Sequence, residues 1–523
     1  MEITLTSAAL MCVVLVSIFG TLLAYSFINW LWLNPKRLEK SLRQQGLSGS
    51  PYRILLGDTN DERMMYRKAT SKPINVSDDI VPRVLPFQTQ HIKKYGDKSF
   101  AWMCVTPRLY VLEPALVKEI FTRIDEFHKP PTDPTFKKLA GGIITLNDEK
   151  WVKHRKLLSP AFHLQKLKNM ETSFHLCADE MMRKWETLAS EDGSCELDVW
   201  PDLQNLTRDV ISRTAFGSSF EEGRRIFELQ RDMANIFVQV SNLAQIPGYR
   251  WLPTKQNRKA KEMEKEIETK LRTIIAKREQ AMKTGTGASD DLLGILIESN
   301  LNEMKEHNND KSVGMSIEDV IEECKLFYFA GQETTAVLLV WTMVLLSQHK
   351  KWQERARAEV HQVFGDENPP HVDGLSQLKI LNMIIHEVLR LYAPASSVDR
   401  VTCKETKLGN YTIPAGVRVT IPVLLLHHDR KIWGEDADEF KPERFVDGVS
   451  KASNGHVAFV PFGWGPKICI GMNFSLLEAK VALAMILQKF SFELSPSYTH
   501  APYSIVTTQP QHGAHLILKK YSL

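Results

Sequence analysis

From residue 3 to residue 33 the chain carries no charged side chain, and Val13, Val14, Leu15, Val16, Ile18, Phe19, Leu22 and Leu23 form the centre of that run. A helix needs roughly 20 apolar residues to cross a bilayer, so residues 3–33 are predicted to be a transmembrane anchor. Trp30 and Trp32 stand at its end, and Lys36, Arg37, Lys40 and Arg43 follow at once, whereas Glu2 is the only charge ahead of it. Amphipathic rings favour the membrane interface and positive charge stays cytoplasmic, which predicts a lumenal N-terminus and a cytosolic body. A cleaved signal peptide would place its basic residues first and have a shorter apolar stretch. That order is reversed here.

Behind the anchor, residues 34–60 read as a basic linker with a short flexible hinge at 46–51, and residues 61–523 as one catalytic domain. Strand-like pieces occur at 100–112 (turning at Pro107), at 408–423 and at 504–518, and helical spacing dominates between them. Residues 255–283 alternate charges around apolar positions at helical spacing, and 283–289 and 307–311 read as surface loops. Ser316 and Asp319 make a capping box that opens an apolar-rich helix running to about Leu346, roughly 45 Å long at 1.5 Å per residue. Apolar around most of its circumference, it must be buried. Its middle nevertheless reads Ala330, Gly331, Gln332, Glu333, Thr334, Thr335, where glycine and threonine weaken a helix and a buried carboxylate is costly. The expected fold class is mainly α with a small β portion.

Composition narrows this picture by exclusion. With 43% hydrophobic and 24% charged residues the chain can build a large core, and 66 Lys and Arg against 62 Asp and Glu give no footprint for nucleic acid. Seven scattered cysteines with no CxxC pair form neither a disulfide framework nor a structural zinc site, which places the body on the reducing side of a membrane. One cysteine stands apart: Phe462, Gly463, Trp464, Gly465, Pro466, Lys467, Ile468, Cys469, Ile470 and Gly471 are consecutive. Gly465 and Gly471 let a backbone turn tightly and approach a flat ligand, Lys467 supplies a cation, and a helix predicted over 473–490 turns its N-terminal dipole towards the sulfur. Such a thiolate is a plausible soft metal ligand, and equally a buried structural cysteine.

This segment resembles the haem-binding signature of the cytochromes P-450, Phe-x-x-Gly-x-Arg-x-Cys-x-Gly, at every position but Lys467, where the family usually has arginine. Glu387 and Arg390 match its Glu-x-x-Arg motif, and Phe440, Lys441, Pro442, Glu443, Arg444 and Phe445 its aromatic-Pro-Glu-Arg-Phe motif. Alone, Glu387 and Arg390 are an i,i+3 pair common on helix surfaces; the resemblance implies a buried Glu387–Arg390–Arg444 network supporting the cysteine loop. It further implies that Cys469 is the axial ligand of haem b iron, that Trp151, Arg155 and Arg400 reach the haem propionates, and that Lys467 does so as a point charge. Ala330 to Thr335 is similar to the family's oxygen-activation motif: Gly331 would leave room for dioxygen, Thr334 would donate to it and hold a water, and Glu333 would relay protons. The alternative is that the threonines bond only their own helix carbonyls. The cofactor set implied is haem, O2 and NADPH, with electrons from NADPH–cytochrome P-450 reductase and a location in the endoplasmic reticulum membrane.

The resemblance spans the chain and is closest to plant microsomal members of family 72, carried by residues 322–331, 509–515 and 43–58. It departs at the hinge, whose proline-rich stretch is reduced to Pro51, and at Tyr392, Ala393 and Pro394, where a double proline is usual. Similar plant enzymes oxidise terpenoids, so the implied activity is oxidation of an apolar triterpenoid, iridoid or gibberellin-like molecule. The pocket is expected from residues 130–144, Phe327, Ala330, 395–398 and 504–506, and residues 246–253 would either dip into the membrane or pack on the body. A haem-thiolate isomerase or dehydratase, needing no electron donor, and a non-catalytic membrane haem protein are the rival readings. Thr334 argues against the first, and a complete oxygen motif against the second.

Overall fold

A computed structural model describes the chain except residues 1, 191–192, 218–219, 241–247, 285–289, 309, 311, 367 and 522–523. The proposed membrane-dipping stretch and the two surface loops therefore lie partly outside the described residues. Helix Glu2–Ile28 runs through a π-helical turn, Asn29–Leu33, into helix Asn34–Gln44. Residues Leu10 to Ile28 are exposed, and this stretch is long and apolar enough to cross a membrane. The π turn has an identifiable cause: Pro35 lacks the N–H that would bond the Leu31 carbonyl, and wider turns absorb such a defect. That carbonyl instead accepts the Tyr52 hydroxyl at 2.6 Å. The stretch read as a flexible hinge is docked on the body: Ser48–Gly49 pairs in parallel with Ser99 and Phe100, and Arg43 Nη2 donates to the Gly49 carbonyl at 3.0 Å.

The main sheet has six strands in the order Ser48–Gly49, Ser99–Met103, Thr106–Tyr110, Arg418–Ile421, Val398–Thr402, Phe127–His128. The turn expected at Pro107 falls instead at Cys104, whose φ is +53°. Pro107 sits opposite Trp102, one residue before the strand begins its second pairing at Arg108, so its missing N–H removes no bond from that ladder. A three-stranded antiparallel sheet joins Phe490–Leu494, His515–Lys520 and Ser194–Asp198, and the hairpin Pro502–Ser504/Thr508–Pro510 projects inward from the C-terminal region.

Helices surround one long central helix, Ile317–Gln348, which starts with both hydrogen bonds of the Ser316–Asp319 capping box. From Val320 to Ser347 it is buried except at Glu322 near its start and at Phe329, Ala330, Gly331, Glu333 and Thr334, which stay half-buried in mid-helix. An apolar rod through the core that bares one polar patch marks an internal space at that patch. Helix Met472–Lys489, beginning three positions after Cys469, packs on the same core.

Candidate active site

The cysteine loop is held by its own backbone. Gly463 N–H donates to Val460 O at 3.0 Å, Ile468 N–H to Gly465 O at 3.1 Å, and Cys469 N–H to the Phe462 carbonyl at 2.9 Å. Gly463 and Gly465 both lie at φ +71°, a backbone that side chains strain, and a Cβ on Gly465 would stand 2.8 Å from the Phe121 carbonyl oxygen. Gly471 departs from expectation: its φ is −85°, and a Cβ there would meet Phe162 and the Cys469 sulfur at 3.9 and 4.0 Å. The tight turning thus falls to Gly463 and Gly465, and Gly471 keeps only a low profile beside the sulfur. Burial pushes the Cys469 thiol up, while the Gly471 N–H and the Arg155 guanidinium favour the thiolate. Cys469 is deeply enclosed by the fold and yet exposed as a residue. Both descriptions hold, because it faces an internal space.

Cations gather around it. Arg155, on helix Asp148–Leu158, donates from Nη1 to the Ile468 carbonyl at 2.8 Å. Lys467 Nζ donates to Asn147 Oδ1 at 2.9 Å and stands 5.6 Å from the centre of the Trp151 ring. Arg400, buried on strand Val398–Thr402, donates to its neighbour's carbonyl at 2.8 Å and lies over the Phe121 ring. A fourth cation, Lys129, was not legible in the sequence; its Nζ donates to the Ile143 carbonyl at 2.5 Å. Burial lowers all four, Arg400 to about 10 and Lys129 to about 7, where Arg400, Lys467 and Arg155 press it further and Glu323 opposes them. None of the four is ion-paired among the described residues. One buried and three half-buried charges of the same sign, gathered together, call for an anion. A flat group with two carboxylates at one edge and a metal that takes a thiolate meets that demand, so these residues fit haem.

Behind the loop lies the carboxylate–guanidinium network. On helix Lys379–Leu391, Arg390 donates twice to Glu387, at 2.7 and 2.8 Å, with both side chains fully buried. Arg390 also donates to the carbonyls of His427 and Ala437 at 2.8 and 2.6 Å. Arg444 Nε lies 3.4 Å from Glu387, and its Nη1 donates to Trp433 O at 2.6 Å. His427 ties this network to the cysteine segment: its Nδ1 bonds the Arg390 carbonyl at 3.0 Å and its Nε2 accepts the Val460 N–H at 3.0 Å. Burial lowers His427 to about 3, which keeps it neutral and lets Nε2 accept. The sequence carried no motif for His427, since one histidine among sixteen has no period to single it out.

On the central helix two expected roles change. A Cβ on Gly331 would lie 2.7 Å from Cδ1 of Ile211, on helix Val199–Phe216, so this glycine admits a neighbouring helix rather than leaving open room. The Thr334 hydroxyl donates to the Ala330 carbonyl at 2.9 Å. Its proton is engaged, and what it offers the internal space is an acceptor oxygen. Ala330 lines the same half-buried patch. Glu333 accepts the Thr507 hydroxyl at 2.8 Å and Gln332 Nε2 at 3.2 Å; burial pushes its carboxyl up and Arg208 opposes. Thr507 belongs to the turn of the C-terminal hairpin, and Thr508 N–H reaches the Pro394 carbonyl at 3.0 Å. These two bonds tie the hairpin turn to Glu333 and to Pro394, and residues 395–398 and 504–506 on either side are half-buried. Phe162 bridges the two sides, 3.9 Å from where a Gly471 Cβ would be and 6.0 Å from the Phe327 ring centre.

The comparisons agree with this geometry. The cytochrome P-450 family model matches residues 84–515. A cytochrome P-450 72A397 of Kalopanax septemlobus is 55% identical over 95% of both chains, and a cytochrome P-450 CYP72A219 of Panax ginseng is 52% identical over 99% of both. Secologanin synthase 1 of Catharanthus roseus is 50% identical over 96% of this chain and 97% of its own. Among solved structures, a retinoic acid-bound cyanobacterial CYP120A1 superposes with a TM-score of 0.75 at 21% identity, covering 91% of this chain and 99% of that one. This chain belongs to the cytochrome P-450 family, within reach of its plant 72A members. It is a cytochrome P-450 monooxygenase, which uses haem and O2 with electrons from NADPH through a reductase.

Proposed function

We propose that this chain hydroxylates or further oxidises an apolar plant terpenoid, at the endoplasmic reticulum membrane, with residues 3–33 as the span, 34–60 as the basic linker and 61–523 as a cytosolic catalytic domain. A relative named for secologanin synthesis supports the substrate class. The observation that carries the site reading is an enclosed cysteine flanked by the buried Arg400 and by the half-buried Lys129, Arg155 and Lys467, none of them ion-paired among the described residues. Cys469 would hold the iron, and Trp151, Arg155, Arg400, Lys467 and Lys129 the propionate edge, with Phe462, Gly465 and Gly471 shaping the loop. Haem, when bound, supplies the iron at which dioxygen is activated and the thiolate makes O–O cleavage easier. The chain's own part is to exclude water, orient substrate against Ala330 and Thr334 and deliver protons. Burial favours the protonated form of the Glu333 carboxyl, and the Thr334 oxygen, whose proton goes to the Ala330 carbonyl, would accept a hydrogen bond at the pocket.

Microsomes containing this protein and a plant reductase, supplied with a terpenoid panel, should give an oxidised product that depends on NADPH. Conversion without NADPH would point to isomerase or dehydratase chemistry. Thr334→Ala should keep the thiolate-type spectrum while product per NADPH falls by about tenfold or more, with peroxide rising in step; unaltered coupling would remove Thr334 from proton delivery.

Lys129→Met should weaken haem retention by about 1.5–3 kcal/mol, the size of a hydrogen bond to a charged group, read as haem per protein after dilution. Without haem the sign reverses. The folded value near 7 lies below the free-lysine value of 10.5, so the unfolded chain binds the extra proton between them and stability rises with pH across that window. Lys129→Met should flatten that rise in melts of the haem-free protein at neutral and alkaline pH.

A further inference from the structure

His427 and His428 are neighbours with different surroundings. His427 bridges the Arg390 and Val460 backbone, whereas the His428 side chain, 6% exposed, has two carboxylates beside it. Nε2 of His428 lies 3.2 Å from the Leu391 carbonyl oxygen, and a carbonyl only accepts, so Nε2 carries the hydrogen. In the neutral ring Nδ1 is then a lone pair. Asp79 Oδ1 stands 3.2 Å from it and Asp438 Oδ1 3.4 Å from it. Neither contact has the geometry of a hydrogen bond, and Nδ1 is a buried nitrogen without a partner. Three electron pairs gathered at one point repel unless a cation sits among them. A proton on Nδ1 serves an acceptor on its own axis, and both oxygens stand off that axis. A metal ion on the axis takes donors to either side of it.

We propose that Asp79, His428 and Asp438 bind a zinc ion, with water completing the shell. The three ligand atoms all lie within 4.8 Å of one another. Zinc bonds of about 2.0–2.1 Å at tetrahedral angles separate neighbouring ligands by about 3.3 Å, close to both distances from Nδ1. The imidazole favours zinc over calcium and magnesium, which take oxygen ligands. Each ligand is also held from behind. Leu391 O orients the ring, Val81 N–H donates to Asp79 Oδ1 at 2.9 Å, and Arg430 donates to the far oxygen of Asp438, Oδ2, at 2.8 Å. Partners of that kind fix the direction of metal ligands. The ion acts as a clamp rather than in turnover. Leu391 follows Arg390 and His428 follows His427, so zinc joins the stretch ahead of helix Val81–Val84 to the network behind the cysteine loop.

The test uses the full-length holoprotein in detergent, stripped of loosely held metal and titrated with zinc chloride alone. The wild type should keep about one zinc per chain through dialysis, and X-ray absorption at the zinc edge should show nitrogen and oxygen neighbours at about 2.0–2.1 Å. Asp79→Asn can still accept the Val81 N–H through its amide oxygen. It should weaken zinc binding about 10–100-fold, at least the loss that follows removal of an outer-shell partner, with haem content unchanged. Asp97→Asn, which removes an exposed carboxylate paired with Lys431, should bind zinc as the wild type does. Zinc should slow haem release in denaturant for the wild type and not for Asp79→Asn. No zinc retained by the wild type, sulfur neighbours at the zinc edge, or equal retention by Asp79→Asn would each overturn the proposal and leave the three side chains as a histidinium ion pair only. The absorption measurement needs no variant, so it decides even if Asp79→Asn folds poorly.

Discussion

Cys469→Ser is expected to abolish the red-shifted Soret band of the reduced protein under carbon monoxide and to bring NADPH-dependent product to background. Among the described residues Cys469 is the one cysteine at the internal space: Cys104, Cys177 and Cys324 are buried elsewhere with thiols raised by their surroundings, Cys195 is half-buried on strand Ser194–Asp198, Cys403 is exposed, and Cys12 belongs to the apolar N-terminal helix. A serine hydroxyl is a poor ligand for iron and cannot supply a thiolate's electron donation. The loop should survive the exchange, because its turns rest on Gly463, Gly465 and backbone bonds rather than on the side chain. Folded protein with haem loosely held, and no thiolate signature, is the outcome anticipated. An intact signature in the serine variant would transfer the ligand role elsewhere and remove the basis of the proposed site.

The second large effect concerns Arg390→Leu. The change strands Glu387 in full burial with only Arg444, 3.4 Å away, and the Lys441 N–H as partners, and it leaves the carbonyls of His427 and Ala437 without their donor. Breaking a buried pair by removing one member costs about 3–5 kcal/mol, against a total stability of about 5–15 kcal/mol for ordinary domains. Haem-bearing protein should be recovered at a small fraction of the wild-type yield, with the denaturant midpoint falling accordingly. Because His427 links Arg390 to Val460, the loss should appear first at the cysteine loop, as faster haem release at denaturant concentrations where the helices persist. Unfolding and haem release both at wild-type levels would show that the network carries no such load.

What could be read from the chain alone follows a physical line. Features specified by neighbours in sequence were legible: the apolar anchor, the Ser316–Asp319 cap, and the helices beginning at Lys255 and just after Cys469, which the structure places within a residue or so of expectation. The cysteine loop was legible because its glycines, cation and thiol are contiguous. Features created by folding were not. Lys129 lies between two prolines and a histidine with no pattern around it, and becomes a site residue only because the chain carries it to Arg155, Arg400 and Lys467. Gly331 reads as an opening until Ile211 from another helix is seen filling it. Short strands such as Phe127–His128 and Ser194–Asp198 escaped notice, since two to five residues hold too little alternation to stand out and their partners lie hundreds of positions away.

The Tyr52–Leu31 bond, described above as the repair of a proline defect, has a mechanical consequence. Trp32 packs 6.1 Å from the Tyr52 ring, and the span enters the catalytic body as unbroken helix pinned to the first strand of the sheet. A protein joined to its membrane in this way is mounted rather than leashed. With the apolar helix in a bilayer as proposed, the angle of the rod would set the tilt of the body, and the same flank would face the lipid in each molecule.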